Sequence, residues 1–108
     1  MKLPADTAIA QKKLAQYLLV WREEDDKSAF LSKAGYTLEN AGQLEKDLRS
    51  QLLLIDAEVF DRGEYGVKYV IRGKLKGPNG RVLRVVSIWM IENAGGAAKF
   101  VTLYPDKT

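Results

Sequence analysis

The sequence predicts an α+β fold, with two to three N-terminal helices packed on one face of a four-stranded antiparallel sheet. Three observations carry that expectation. Apolar residues recur at helical spacing up to about residue 53, they alternate with period two from there on, and Gly-rich turn signals cut the second half into strands. The order ααα-ββββ points to an antiparallel meander with the helices covering one side. A length of 108 residues fits one domain spanning 1–108.

The first helix is expected over Gln11–Leu19, where Leu14, Tyr17 and Leu18 fall at helical spacing. Asp25 and Asp26 suit the cap of a second helix, Lys27–Ala34, with Gly35 as its stop. Thr37 opens a third, running to about Leu53 with Leu44, Leu48, Leu52 and Leu53 as its apolar stripe. The strands follow as Leu54–Phe60, Val67–Lys76, Arg81–Glu92 and Ala98–Tyr104. Between the middle two, Gly77-Pro78-Asn79-Gly80 is a strong turn signal, because Pro presets φ and Asn-Gly tolerates positive φ.

Composition narrows the chemistry. There is no cysteine and no histidine, which removes disulfides, thiolate and imidazole metal sites, and every histidine-containing triad. No metal or other cofactor is expected, and catalysis would fall to Lys, Arg, Tyr, Ser, Thr, Asp or Glu. No apolar run approaches a membrane span and the N-terminus lacks a signal peptide's apolar core, so a cytoplasmic protein without a membrane partner is expected. Charge is unevenly spread. Residues 65–91 hold Lys68, Arg72, Lys74, Lys76, Arg81 and Arg84 and no acid, leaving 11 basic and 14 acidic residues elsewhere, a balance of −3.

Alternation in the second strand puts Val67, Tyr69, Ile71 and Leu75 on one face and Lys68, Val70, Arg72, Lys74 and Lys76 on the other. If Gly77–Gly80 is a four-residue loop with Lys76 opposite Arg81, and Ala94–Ala97 a second with Asn93 opposite Ala98, then Lys68, Arg72 and Lys74 share a face with Ser87, Trp89, Thr102 and Tyr104. Val82, Val86, Ile88, Met90, Val101 and Leu103 would then form the core face. Arg84 would fall among them, and a one-residue slip would invert the assignment.

Cations interleaved with aromatic and hydroxyl groups suit a single-stranded nucleic acid, with Lys68, Arg72, Lys74 and Arg81 on phosphates, Trp89 or a tyrosine stacked on a base, and Ser87 among the binding residues. The same residue types suit histidine-free RNA cleavage, in which a cation stabilises charge on the scissile phosphate and a Tyr, Lys or Glu moves the 2′-hydroxyl proton. Glu58 and Glu64 are candidate bases. A solvated sheet face also carries Lys, Arg and Thr without any ligand, and a tryptophan such as Trp89 is more often a packing residue. The two-sided charge further suits an acidic protein partner.

Ordered segments also carry a resemblance. They are Lys2-Leu3-Pro4, Lys13-Leu14 with Tyr17-Leu18-Leu19, Lys27-Ser28-Ala29-Phe30 before Gly35-Tyr36-Thr37, Tyr65 to Val70, Gly77 to Arg81, Arg84 through Ser87 to Trp89, and Val101 to Pro105. Together they resemble a family of small bacterial domains of unknown function, some attached to toxin-like proteins. The layout is similar to the barnase, colicin and RelE-like ribonuclease toxins. The family pattern marks Lys27, Arg84, Ser87, Trp89, Thr102 and Tyr104. The likeness to RNA-cutting toxins implies a metal-independent ribonuclease in which Lys27 and Arg72 or Arg84 hold the phosphate, Thr102 orients it and Tyr104 transfers a proton. RNA is then the implied partner; the alternative is a non-enzymatic module of a toxin–antitoxin pair or a single-strand binder. One departure lies ahead of Lys27, where Arg22-Glu23-Glu24-Asp25-Asp26 replaces the family's His-Pro-x-Gly-like segment.

Overall fold

A computed structural model of the chain describes residues 1–19, 27–93 and 96–107. Helix α1 (Gln11–Lys13) runs into a π-helical turn, Leu14–Leu18, and α2 spans Ser28–Ser32. A 3-10 turn, Leu38–Asn40, leads into α3 (Ala41–Asp47), which widens into a second π-helical turn, Leu48–Leu52. Strands β1 (Glu58–Arg62), β2 (Gly66–Lys76), β3 (Val82–Glu92) and β4 (Ala98–Pro105) form one antiparallel sheet in sequence order. This is the α+β meander that the sequence predicts. The expected Asp25/Asp26 cap and the Tyr17 side chain lie outside what is described.

Both π-helical turns carry the pattern Leu-x-x-x-Leu-Leu. Their wide i→i+5 bonds, Leu19 N–H to Leu14 C=O and Leu53 N–H to Leu48 C=O at 2.9 Å each, bring the first and last two leucines to the same side. All six leucines are buried. Helix α2 stops at Gly35, which adopts φ 92°. Tyr36 N–H reaches back to Leu31 C=O and Gly35 N–H to Ser32 C=O, the bonding of a Schellman cap. Thr37 opens the next helical stretch as expected, through a capping box with Asn40.

These helices cover one face of the sheet. Leu14, Leu18, Leu31, Leu44, Leu48 and Leu52 pack on Ile71, Leu75, Leu83, Val85, Trp89, Phe100 and Leu103. Gly73 lets the helical layer approach β2, since a Cβ there would sit 2.6 Å from Ile55 Cδ1. Gln51 closes the end of β2, accepting from Lys76 N–H at 2.6 Å and donating to Lys76 C=O at 2.9 Å. The N-terminal segment joins the other edge, with Ala8 bonded to Ala98 and Phe100.

Two expectations are corrected. The first strand begins at Glu58, not Leu54. A further turn holds Ile55 N–H on Leu52 C=O, and Ala57 N–H donates to Met1 C=O, so Ile55 and Ala57 lie in the connection. Phe60 is the bulged residue of β1, as pairing passes from Val59↔Tyr69 to Asp61↔Lys68.

The larger correction is the β2–β3 register. Gly77 N–H bonds Arg81 C=O at 2.9 Å, Gly80 N–H bonds Gly77 C=O at 3.0 Å, and Gly80 adopts φ 89°. The loop therefore has three residues, Pro78 to Gly80, with Gly80 as the left-handed bulge residue. Lys76 opposes Val82, Lys74 opposes Arg84 and Arg72 opposes Val86. That one-residue difference inverts the faces of β3. Arg84, Val86, Ile88 and Met90 join the cations, and Leu83, Val85, Ser87 and Trp89 turn under the helices.

Candidate functional site

The face of the sheet away from the helices is built in cross-strand rows, because directly opposed residues point to the same side. One row is Glu58, Val70, Ile88 and Thr102; the next is Arg72, Val86 and Tyr104; then come Lys74 with Arg84, and Lys76 with Val82. At the opposite end lie Asp61, Lys68, Met90 and Lys99. A second extra residue, Val101, shifts β4 between its pairs with Ile88 and Trp89, and this keeps Thr102 and Tyr104 on the cationic side. The floor is apolar: Val70, Val86 and Ile88 are buried, with Val101 and Tyr104 packed against them.

Lys27 approaches this face from the start of α2. Its C=O begins that helix by accepting from Leu31 N–H, and Leu31 is anchored in the core. The Lys27 Nζ donates to Thr102 Oγ1 at 3.1 Å, and the residue is only 7% exposed. Tyr104 follows two positions after Thr102, and Arg84 lies one row further along. The four residues assigned to catalysis from the sequence thus share one side of the sheet.

A carboxylate that the sequence reading missed joins them. Asp106 Oδ1 lies 3.5 Å from Arg72 Nη1, and Asp106 N–H donates to Arg84 C=O at 2.9 Å. Its signal was the continued alternation Thr102, Tyr104, Asp106 beyond Pro105.

Of the residues expected to bind nucleic acid, Lys68, Arg72 and Lys74 lie on this face. Arg81 opposes Gly77, so it is exposed at the hairpin end but out of the row. Ser87 and Trp89 are corrected outright: both are fully buried on the helix-covered side. Trp89 Nε1 donates to Ser87 Oγ at 2.8 Å, Ser87 Oγ donates to Ile71 C=O at 2.9 Å, and the indole meets Phe100 edge to face with centroids 5.1 Å apart. Neither can touch a base. The candidate bases stand apart from the Lys27–Thr102 contact. Glu58 is three strands from Thr102, about 14 Å at the usual strand spacing, and Glu64 is exposed in the β1–β2 turn.

Among the described residues, no group of three or more carboxylates could hold a metal ion, and no helix is long and apolar enough to cross a membrane. An apolar groove of about 670 Å³ opens on the helical side, lined by Leu3, Leu53 and Leu54 with Lys2, Lys46 and Arg49, and none of the candidate residues borders it.

A family model for a domain of unknown function, DUF6883, matches residues 2–107. The chain belongs to that family. This bears out the resemblance read from the ordered segments. Comparison with curated proteins returned no match. Among solved structures, this DUF6883 domain is similar to a chain of the contact-dependent growth inhibition toxin–immunity protein complex from Klebsiella pneumoniae 342. The TM-score is 0.56 at 16% identity, over 96% of this chain and 97% of that chain. At that identity the likeness concerns the fold: this α+β arrangement is one that occurs in a toxin–immunity assembly.

Proposed function

We propose that this domain is a toxin-type, metal-independent RNA-cleaving domain whose centre is the open sheet face around Lys27, Thr102, Tyr104 and Arg84. The observation that carries the reading is the Lys27–Thr102 contact at 3.1 Å, a nearly buried ammonium held on a hydroxyl beside a tyrosine. In this role Lys27 and Arg84 stabilise the charge that grows on the scissile phosphate. Thr102 orients a phosphate oxygen, and Tyr104 moves a proton. Arg72, held by Asp106, binds a neighbouring phosphate. The fold's occurrence in a toxin–immunity complex supports the toxin-type assignment.

The test is incubation of the purified domain with total RNA in the presence of EDTA, alongside Lys27→Ala, Arg84→Ala and Tyr104→Phe. Cleavage by the wild type that is lost in the variants is the expected result. Intact RNA together with normal growth when the domain is induced would overturn the ribonuclease reading. That same structural likeness favours a second role, a non-enzymatic partner in such a pair. It predicts a stable complex with an acidic protein and no cleavage.

A further inference from the structure

The open face is electrically lopsided along its strands. From the Thr102 row toward the β2–β3 hairpin come Arg72, Lys74, Arg84 and Lys76, all exposed. Among the described residues only Asp106 places a carboxylate there, on Arg72. Toward the β1–β2 turn the cations are balanced. Lys99 Nζ pairs with Glu92 at 2.6 Å, Lys68 opposes Asp61, and Glu58 closes the Thr102 row. The centre of the proposed site therefore has a strongly cationic strip on one side and a neutralised one on the other.

We infer that this strip is a one-sided track for a single-stranded polynucleotide, holding about three phosphates of the flank that leaves the centre toward the Gly77–Gly80 hairpin. The inference rests on the proposed site, and it adds the shape of the substrate. Alternate residues on a strand stand about 6.8 Å apart, so Arg72, Lys74 and Lys76 match the repeat of phosphates along an extended strand. Arg84 sits beside Lys74 and widens the strip at its middle. At the centre end the half-buried Val101 and Tyr104, packed over the buried Val70, Val86 and Ile88, offer an apolar surface that suits the face of a base rather than a charged group. On the opposite flank Glu92, paired with Lys99, and the carboxylates of Asp61 and Glu58 offset the cations, so a phosphate backbone finds no net attraction there. The substrate would thus gain affinity from nucleotides on one side of the scissile bond and little from the other.

The experiment measures binding of an all-deoxy oligonucleotide, which has no 2′-hydroxyl to cleave with, by fluorescence anisotropy across a salt series. The proteins are the wild type, Lys74→Ala/Lys76→Ala and the charge-neutral control Glu92→Ala/Lys99→Ala on the opposite flank, with circular dichroism to check folding. Each phosphate contact on a single strand contributes about 0.7 to the slope of log K against log salt. The first pair should therefore flatten the slope by about 1.4, and the second should leave it unchanged. Equal flattening by both pairs, or none by the first, overturns the track. Binding of a polyglutamate peptide at least as tight as that of the oligonucleotide also overturns it, in favour of an acidic-protein surface. Cleavage of a ribo-oligonucleotide is scored separately. A slope change without cleavage keeps the track and removes the ribonuclease, and cleavage without a slope change does the reverse.

Discussion

The Lys27 ammonium donates to the Thr102 hydroxyl across 75 residues of sequence, joining the start of the second helix to the last strand. An ammonium this far from water is stable only when its protons are accepted. Replacing Thr102 with Val removes one acceptor while keeping the shape. The expected cost is about 1.5 kcal/mol, read from the urea midpoint. RNA cleavage should fall well before that loss empties the folded state. A Thr102→Ser variant keeps the acceptor, so it should retain both.

The buried chain Trp89–Ser87–Ile71 makes a contrasting prediction. Ser87→Ala strands the Trp89 Nε1 proton and removes a donor from the Ile71 carbonyl, at an expected cost of about 1–3 kcal/mol. Trp89→Phe leaves a cavity and should cost about as much or more. Neither touches the cationic face, so the folded fraction should bind oligonucleotide with unchanged affinity. A loss of affinity at unchanged slope would return Trp89 to the base-contacting role read from the sequence.

Much of this was legible from residue order, and the point of failure is specific. The clean alternation of Lys68 to Lys76 fixed the faces of β2, and the leucine spacing fixed the helical stripe. The register of β3 was not legible, because Gly77-Pro78-Asn79-Gly80 is compatible with a loop of four residues or of three. Choosing between them required knowing that Gly80 takes positive φ and that Asn79 is held by the second helix, with its Nδ2 on Lys33 C=O at 3.1 Å. Those are tertiary facts. Two errors then cancelled: the faces of β3 were inverted and the Val101 bulge was not foreseen (Ile91, not Asn93, pairs with Ala98), so Thr102 and Tyr104 still came out on the cationic side. Lys27 was reached only through the family pattern, since no periodicity links it to β4.

The hairpin itself can be tested through its glycines. A Cβ on Gly77 would collide with the Ala34 carbonyl, whereas one on Gly80 meets nothing. Gly77→Ala should therefore cost about 3 kcal/mol through overpacking. Gly80→Ala should cost about 1–2 kcal/mol, from left-handed backbone alone. Equal costs in chemical denaturation would contradict the three-residue loop.

Tyr36 gives a prediction in pH. Its phenol donates to Asp47 Oδ2 at 2.5 Å, while Gln43 Nε2 holds the other carboxylate oxygen at 2.9 Å. Burial first, and then the bond to Asp47 and its charge, push the Tyr36 phenol far above its ordinary value of 10.0. The folded state thus keeps the proton while the unfolded chain releases it above pH 10. The stabilisation is full below that pH and declines as pH rises past it, by at most about 1.4 kcal/mol per pH unit. Tyr36→Phe should be less stable at pH 8, by about 1–3 kcal/mol. The gap to the wild type should narrow between pH 10 and 11; a constant gap would contradict the assignment.

Asp106 tests the electrostatics of the open face from the other direction. It lies on Arg72 at 3.5 Å, and its backbone N–H holds Arg84 C=O whatever the side chain. If the face binds phosphates, this carboxylate competes with them for Arg72. Asp106→Asn keeps the size and the main-chain bond and removes the charge. Oligonucleotide affinity should rise, most at low salt, because the phosphate on Arg72 no longer competes with a carboxylate. Arg72→Ala in the same background should remove the gain, because the carboxylate then has no phosphate-binding guanidinium to release. A gain that survives in the Arg72→Ala background would place the effect of Asp106 elsewhere on the face.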